Sequence, residues 1–221
     1  MNFFTQKVIM TYKNMYIKPI KGVTILVATK GRTIKEISQA VAAGISVIGE
    51  NRVQELLNKL PHLPKQIRID FIGHLQTNKV KDVVKHCFLI HSVDSLYLAQ
   101  EIDKQAKKIG KIQNILLEIN ISGEGTKYGF KKEKIINIFP ELITLKNIKV
   151  MGLMTITPYS KESEKSRPFF QTLRQLKKQI ESKFRIILPE LSMGMSNDYQ
   201  IAIVEGATII RLGRIIFETK L

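Results

Sequence analysis

Residues 23–49 read VTILVATKGRTIKEISQAVAAGISVIG, and the order of patterns in this stretch decides the fold. A nearly continuous apolar run, VTILVAT, ends at Thr29-Lys30. TIKE at 33–36 then has the form of a capping box, a threonine whose hydroxyl and a glutamate whose carboxylate satisfy each other's backbone N–H groups. Ile34, Ile37 and Val41 follow at helical spacing, Gly44 stops the helix, and ISVIG begins a second apolar run. Strands this apolar on both parities belong to a parallel sheet covered on both faces, so the stretch is a strand–helix–strand unit.

The same alternation continues along the chain. Strand-like runs recur at 67–73 (IRIDFIG), 87–93 (CFLIHSV), 114–120 (NILLEIN), 148–156 (IKVMGLMTI), 189–195 (PELSMGM) and 207–213 (ATIIRLG), eight in all with the first two. Amphipathic stripes separate them: Val53, Leu56, Leu57 and Leu60 after NRVQ; Val80, Val83, Val84 and Cys87 after Thr77; Leu98, Ala99, Ile102 and Ala106 after Asp94. Phe169, Phe170, Leu173, Leu176 and Ile180 form another, and Asn197 to Val204 a short one. No Pro/Gly/Ser-rich linker divides the chain. Eight units in one uninterrupted run predict an α/β protein with a single (β/α)8 TIM-type barrel over residues 21–221, with residues 1–20 unassigned and no helix after the eighth strand. A doubly wound open sheet is the weaker alternative, because no GxGxxG turn follows the first strand.

Composition excludes little but excludes it cleanly. The 221 residues are 44% apolar and carry a single cysteine, Cys87, so an internal disulfide is impossible and a reduced, cytoplasmic setting is expected. No Cys/His cluster has metal-ligand spacing. MNFFTQKVIMTYKNMYIKPIKG lacks both a long apolar run and a small-residue cleavage site, so neither a signal peptide nor a membrane span is expected. The net charge of +16 would suit nucleic acid, but the lysines are scattered over predicted helix faces without interleaved aromatics, and no nucleic-acid role is expected.

In a barrel of this kind chemistry collects where strands end. Strand one ends in Thr29-Lys30, strand two in Glu50-Asn51, strand four in His91-Ser92, strand seven in SMGMSND and strand eight in Arg211-Leu212-Gly213-Arg214. The loops after strands seven and eight commonly hold phosphate, and here they offer Gly194, the Ser196 hydroxyl and Gly213. Strand alternation puts Arg211 on the face of Ile209 and Gly213, facing inward, where a guanidinium requires a carboxylate or a ligand. A lysine across the rim from a phosphate cradle suggests a phosphorylated carbonyl compound held as an imine, as pyridoxal phosphate or an aldolase substrate would be.

The wording of the motifs goes further. IGENRVQE (48–55), FIGHLQTNK (71–79), IHSVDS (90–95), INISGEGTKYGF (119–130), GLMTI (152–156), LSMGMSND (191–198) and IIRLGRIIF (209–217) together resemble the pyridoxal phosphate homeostasis proteins over roughly residues 22–218. Members of that family resemble the barrel domain of alanine racemase and lack its second domain. The resemblance implies that pyridoxal 5'-phosphate is the cofactor, joined covalently as an aldimine (Schiff base) to Lys30. It implies that Asn51 lies near the ring, that Ser196 and the backbone at Gly213 and Arg214 cradle the phosphate, and that Arg211 faces the pyridine nitrogen. It further implies a non-catalytic carrier, expected as a monomer, with pyridoxal phosphate-dependent apoenzymes as possible recipients. A fold-type III amino-acid racemase is the alternative; it wants a base on each face of the cofactor, and His74 is an unconvincing second one. One departure stands out: where the family commonly reads S-K-T-K, this chain reads Thr29-Lys30-Gly31-Arg32, without the second amine.

Overall fold

The computed structural model describes residues 20–125 and 127–218. In chain order the elements are β1 (Thr24–Ala28), α1 (Ile34–Ala42), β2 (Val47–Glu50), α2 (Val53–Lys59), β3 (Arg68–Phe71), α3 (Val80–His86), β4 (Leu89–Val93), α4 (Leu96–Lys108), β5 (Gln113–Asn120), β6 (Phe130–Lys131), α5 (Lys132–Thr144), β7 (Ile148–Met154), α6 (Arg167–Phe184), β8 (Glu190–Met195), α7 (Tyr199–Val204), β9 (Ile209–Leu212) and α8 (Arg214–Phe217). All strands pair in parallel in the order β4-β3-β2-β1-β9-β8-β7-β5, and β4 also pairs with β5, so the eight close into a barrel. β6 is a two-residue addition beside β5. The (β/α)8 expectation is borne out.

Strand alternation divides the core in two. Leu26, Val47, Leu89, Leu116 and Ile209 fill the barrel interior, while their neighbours Val27, Ile48, Ile90, Ile115 and Ile210 face the helices. The helices answer with most of the stripes read from the sequence: Val80, Val83 and Val84 on α3 and Phe170, Leu173, Leu176 and Ile180 on α6 are buried, while on α1 Ile37 is buried, Ile34 and Val41 are half-buried, and Ala40, outside the expected stripe, is buried too. Each such large side chain adds about 1.5–3 kcal/mol relative to exposure. The capping box forms as expected: Thr33 Oγ1 accepts from Glu36 N at 3.3 Å, and the Glu36 carboxylate accepts from Thr33 N at 2.8 Å.

Three boundaries differ from expectation. Thr77–Lys79 is a separate 3-10 turn ahead of α3. The cap of α4 is Ser95, whose hydroxyl accepts from Leu98 N at 3.3 Å; Asp94 instead pairs with His74 at 3.1 Å, a local competitor for the carboxylate that a single-chain pattern does not reveal. A helix does follow the eighth barrel strand, the four-residue α8, because Ile216 and Phe217 are buried and continue the apolar pattern past Gly213. Of the unassigned segment, residues 1–19 lie outside the described residues; Ile20 bridges to Val23.

Candidate functional site

The C-terminal ends of β1, β2, β8 and β9 surround a cavity of about 410 Å³, within the range of small-molecule sites. Lys30, Asn51, Ser196, Arg211, Gly213 and Arg214 all line it. Six residues read from four separated places in the sequence are therefore brought to one concave surface. Thr157, Asp198, Tyr159 and Met195 add to its walls.

Lys30 is exposed at the rim, immediately after the buried Thr29. The backbone turns sharply behind it: Arg32 N donates to Thr29 O at 3.0 Å, and Gly31 adopts φ +67°, a left-handed conformation that favours glycine. Gly31 is thus the turn that leaves the lysine at the mouth. Arg32 points away from amine chemistry. Its guanidinium meets Glu218 at 2.7 Å and Glu36 at 3.4 Å, and lies 4.8 Å from the centre of the Phe217 ring. It therefore ties the loop of Lys30 to the helix that follows Gly213.

Across the cavity, Ser196 Oγ accepts from Gly213 N at 3.4 Å and from Ile215 N at 3.3 Å, gathering the donors at the start of α8 around one oxygen. The two glycines of this region have different reasons. Gly194 has φ +92°, and a Cβ there would sit 2.5 Å from Ala202 Cβ; it serves the turn and the packing of α7 and does not line the cavity. At Gly213, φ is −122°, and a Cβ would find only ordinary contacts, 3.6 Å from Ala28 Cβ. The chain's own packing does not demand glycine there. What a Cβ would take is space in the cavity that Gly213 and Ala28 both line.

Arg211 faces inward as the alternation predicts, 5% exposed, donating to Ser192 Oγ at 2.7 Å and to Thr155 O at 2.9 Å. Burial lowers its guanidinium to about 10, opposed by the charges of Glu118 and Asp198, so it stays protonated near neutrality. Behind it runs a chain of buried polar groups that the sequence reading did not find. Ser192 Oγ lies 2.9 Å from His91 Nδ1, and His91 Nε2 lies 3.1 Å from Asp70 Oδ2. Arg68 closes the chain with two bonds to the Asp70 carboxylate, 2.9 and 2.8 Å. Burial pushes the His91 imidazole down, against the pull of Asp70. The neutral ring then has one consistent arrangement: Nε2–H donates to Asp70, Nδ1 accepts from the Ser192 hydroxyl, and Ser192 accepts from Arg211. Nearby, burial raises the Glu118 carboxyl to about 7, with Arg211 opposing and Asp94 reinforcing the rise. The available signal was polar or charged residues interrupting apolar runs, in IRIDF, LIHSV, NILLEIN and ELSMG.

Asp198 was another missed member. Its carboxylate accepts from Thr157 Oγ1 (2.9 Å), Ser166 Oγ (2.8 Å) and Met195 N (2.7 Å), locking the loop after β7 to the loop after β8. Asn51 contributes an opposite case. Its Oδ1 is buried and has no hydrogen-bond partner among the described residues. His74, stacked on Tyr128 with ring centroids 3.7 Å apart and paired with Asp94, is a packing residue. Among the described residues no group of three His, Cys, Asp or Glu side chains is placed to hold a metal, and no helix is long and apolar enough to cross a membrane.

The chain folds as a closed (β/α)8 barrel, and its class is given by residues 20–220, which match the family "Alanine racemase, N-terminal domain". Within that class the chain belongs to the pyridoxal phosphate homeostasis protein family. It is 45% identical over 195 residues to the pyridoxal phosphate homeostasis protein of Aquifex aeolicus (strain VF5), covering 87% of this chain and 85% of that one. The structure of PipY from Synechococcus elongatus PCC7942 with pyridoxal phosphate bound superposes with a TM-score of 0.83 at 32% identity, over 90% of this chain and 94% of that one. Alanine racemase of Clostridium difficile 630 shares the fold alone, at 17% identity and a TM-score of 0.72, over 91% of this chain and 54% of that one.

Proposed function

We propose that this chain binds pyridoxal 5'-phosphate in the 410 Å³ cavity and acts in its homeostasis as a carrier without turnover of its own. The observation that carries the reading is the convergence of Lys30, Asn51, Ser196, Arg211, Gly213 and Arg214 on that one cavity. The residues fit the group. The orphaned Asn51 Oδ1 offers a buried acceptor, and Gly213 keeps clear a space that only a ligand requires. When bound, the cofactor supplies an aldehyde that condenses with a primary amine, losing water, and a conjugated ring that absorbs visible light.

The chain's own groups divide the work. Lys30 provides the amine for the covalent bond. Ser196 Oγ, the N–H groups it now gathers, and the Arg214 charge hold the phosphate. Arg211 serves the pyridine nitrogen, and because guanidinium keeps its proton, that nitrogen is left unprotonated and the ring is a poorer electron sink. This suits storage and release better than amino-acid chemistry. The stripes of α1, α3 and α6 are spent on the barrel, which supports a monomer; the proposal also places it in the cytoplasm, where pyridoxal phosphate-dependent apoenzymes would receive the cofactor.

Titration of apo-protein with pyridoxal phosphate tests the reading. The wild type develops a visible band and Lys30→Ala does not, while neither exchanges the α-proton of L-alanine for solvent deuterium at enzymatic rates. A wild type that takes up no cofactor refutes the proposal; sustained exchange replaces the carrier with a racemase.

A further inference from the structure

Lysine is almost never buried without a reason. Lys59, the last residue of α2, is 7% exposed and shares the buried face of that helix with Val53 and Leu56. Its ammonium donates to Thr29 O at 2.7 Å, to Glu50 Oε1 at 2.7 Å and to Glu55 Oε2 at 3.2 Å. The Thr29 hydroxyl also donates to Glu50 Oε1. Glu55 Oε2 in turn accepts from Gly31 N at 2.7 Å, which, more than Lys59, holds its carboxyl below the usual range.

These partners are not scattered. Thr29 O belongs to the peptide that enters Lys30, and Gly31 N to the peptide that leaves it. One ammonium and one carboxylate thus grip both peptide groups that bracket the lysine. Glu50 precedes Asn51, so the same cluster ties the ends of β1 and β2, and with them two residues of the cavity. Buried ion clusters are commonly no more stabilising than apolar residues of the same volume. Stability alone therefore does not account for this one.

We infer that Lys59, with Glu50 and Glu55, is a positioning residue that fixes the backbone on either side of Lys30 and so aims its amine at the cofactor. The inference rests on the proposed role of Lys30. Lys59 touches no cavity residue's side chain that would react; it acts through the Thr29–Gly31 backbone. Such a clamp matters because small errors of placement are expensive: about 1 Å can cost as much as two orders of magnitude in rate.

The test compares the wild type, Lys59→Met combined with Glu50→Gln so that no lone charge is buried, and Glu55→Ala, which frees Gly31 N from a partly exposed carboxylate and carries the test if the double variant does not fold. Two readouts are used: amide hydrogen exchange at Lys30 and Gly31 in the apo-protein, and the rates at which the visible band appears with pyridoxal phosphate and disappears with hydroxylamine. The clamp predicts faster amide exchange at these positions in both variants. It also predicts about tenfold slower band formation, with melting temperatures near the wild type for Glu55→Ala. Unchanged exchange, or band kinetics within twofold of the wild type in a folded variant, overturns the inference. A wild type that forms no band refutes the proposed function instead, which separates the two failures.

Discussion

Removing one hydroxyl inside the barrel, Ser192→Ala, exposes how much rests on the polar chain behind Arg211. The Ser192 oxygen takes a 2.7 Å bond from Arg211 Nη1 and lies 2.9 Å from His91 Nδ1, and all three residues are at most 5% exposed. Without it a charged donor and an imidazole nitrogen are both left buried and unpaired. A hydrogen bond to a charged group is worth about 1.5–3 kcal/mol, and an orphaned buried acceptor costs about 1–3 kcal/mol. Allowing for partial relaxation, the variant is expected to lose about 3 kcal/mol. For a domain of this size that is about 6–12 °C in melting temperature. Urea and thermal denaturation of the apo-protein, followed by circular dichroism, read both values. A melting temperature within about 2 °C of the wild type would refute the chain of hydrogen bonds, because the cost follows directly from burying its two ends.

Three further outcomes follow. Glu118 has a folded pKa of about 7 against 4.5 for the free carboxyl. Because the folded value is raised, the stability it contributes is complete below the unfolded pKa and is lost as pH rises toward the folded one, a cost of about 3 kcal/mol at high pH. Glu118→Gln is therefore expected to stabilise the apo-protein by up to that amount at about pH 8 and to lose the advantage in acid; an equal effect at both ends of a pH series of urea melts contradicts the burial of an ionising carboxyl. The glycines should part company. Gly194→Ala, at φ +92° and 2.5 Å from Ala202 Cβ, is expected to lower stability by about 1–3 kcal/mol. Gly213→Ala should melt near the wild type yet bind pyridoxal phosphate weakly in a spectroscopic titration, and tight binding by that variant would remove the reason given for the glycine.

The barrel was legible because its signals are local and repeated. TIKE caps α1 through atoms three residues apart, and apolar runs such as VTILVAT, repeated between amphipathic stripes, read as strands of a covered parallel sheet. The inward face of Arg211 was legible from its parity with Ile209, whereas Lys30 at the end of a run reads by itself as a solvated lysine and gained its meaning only from the loops after strands seven and eight and from the family motifs. The chain from Arg68 through Asp70, His91 and Ser192 was not, although each member interrupts an apolar run. Its meaning lies in partners as far as 101 residues apart, and a single polar residue in a strand has no address for its partner. Lys59 was hidden differently: at the end of an amphipathic helix it reads as a solvated lysine, and only the fold turns its ammonium onto Thr29 O. The change from a second lysine to Arg32 was visible at once, but its ties to Glu218 and Phe217 depend on α8, which the sequence pattern had not announced.

The central claim concerns one bond on one residue, and it is tested most directly by trapping that bond. Protein incubated with pyridoxal phosphate and reduced with borohydride should carry a single stable pyridoxyl adduct, and peptide mass spectrometry should place it on Lys30, with Lys30→Ala unlabelled at the same cofactor concentration. Labelling of another lysine in the wild type, or undiminished labelling in Lys30→Ala, would contradict the account.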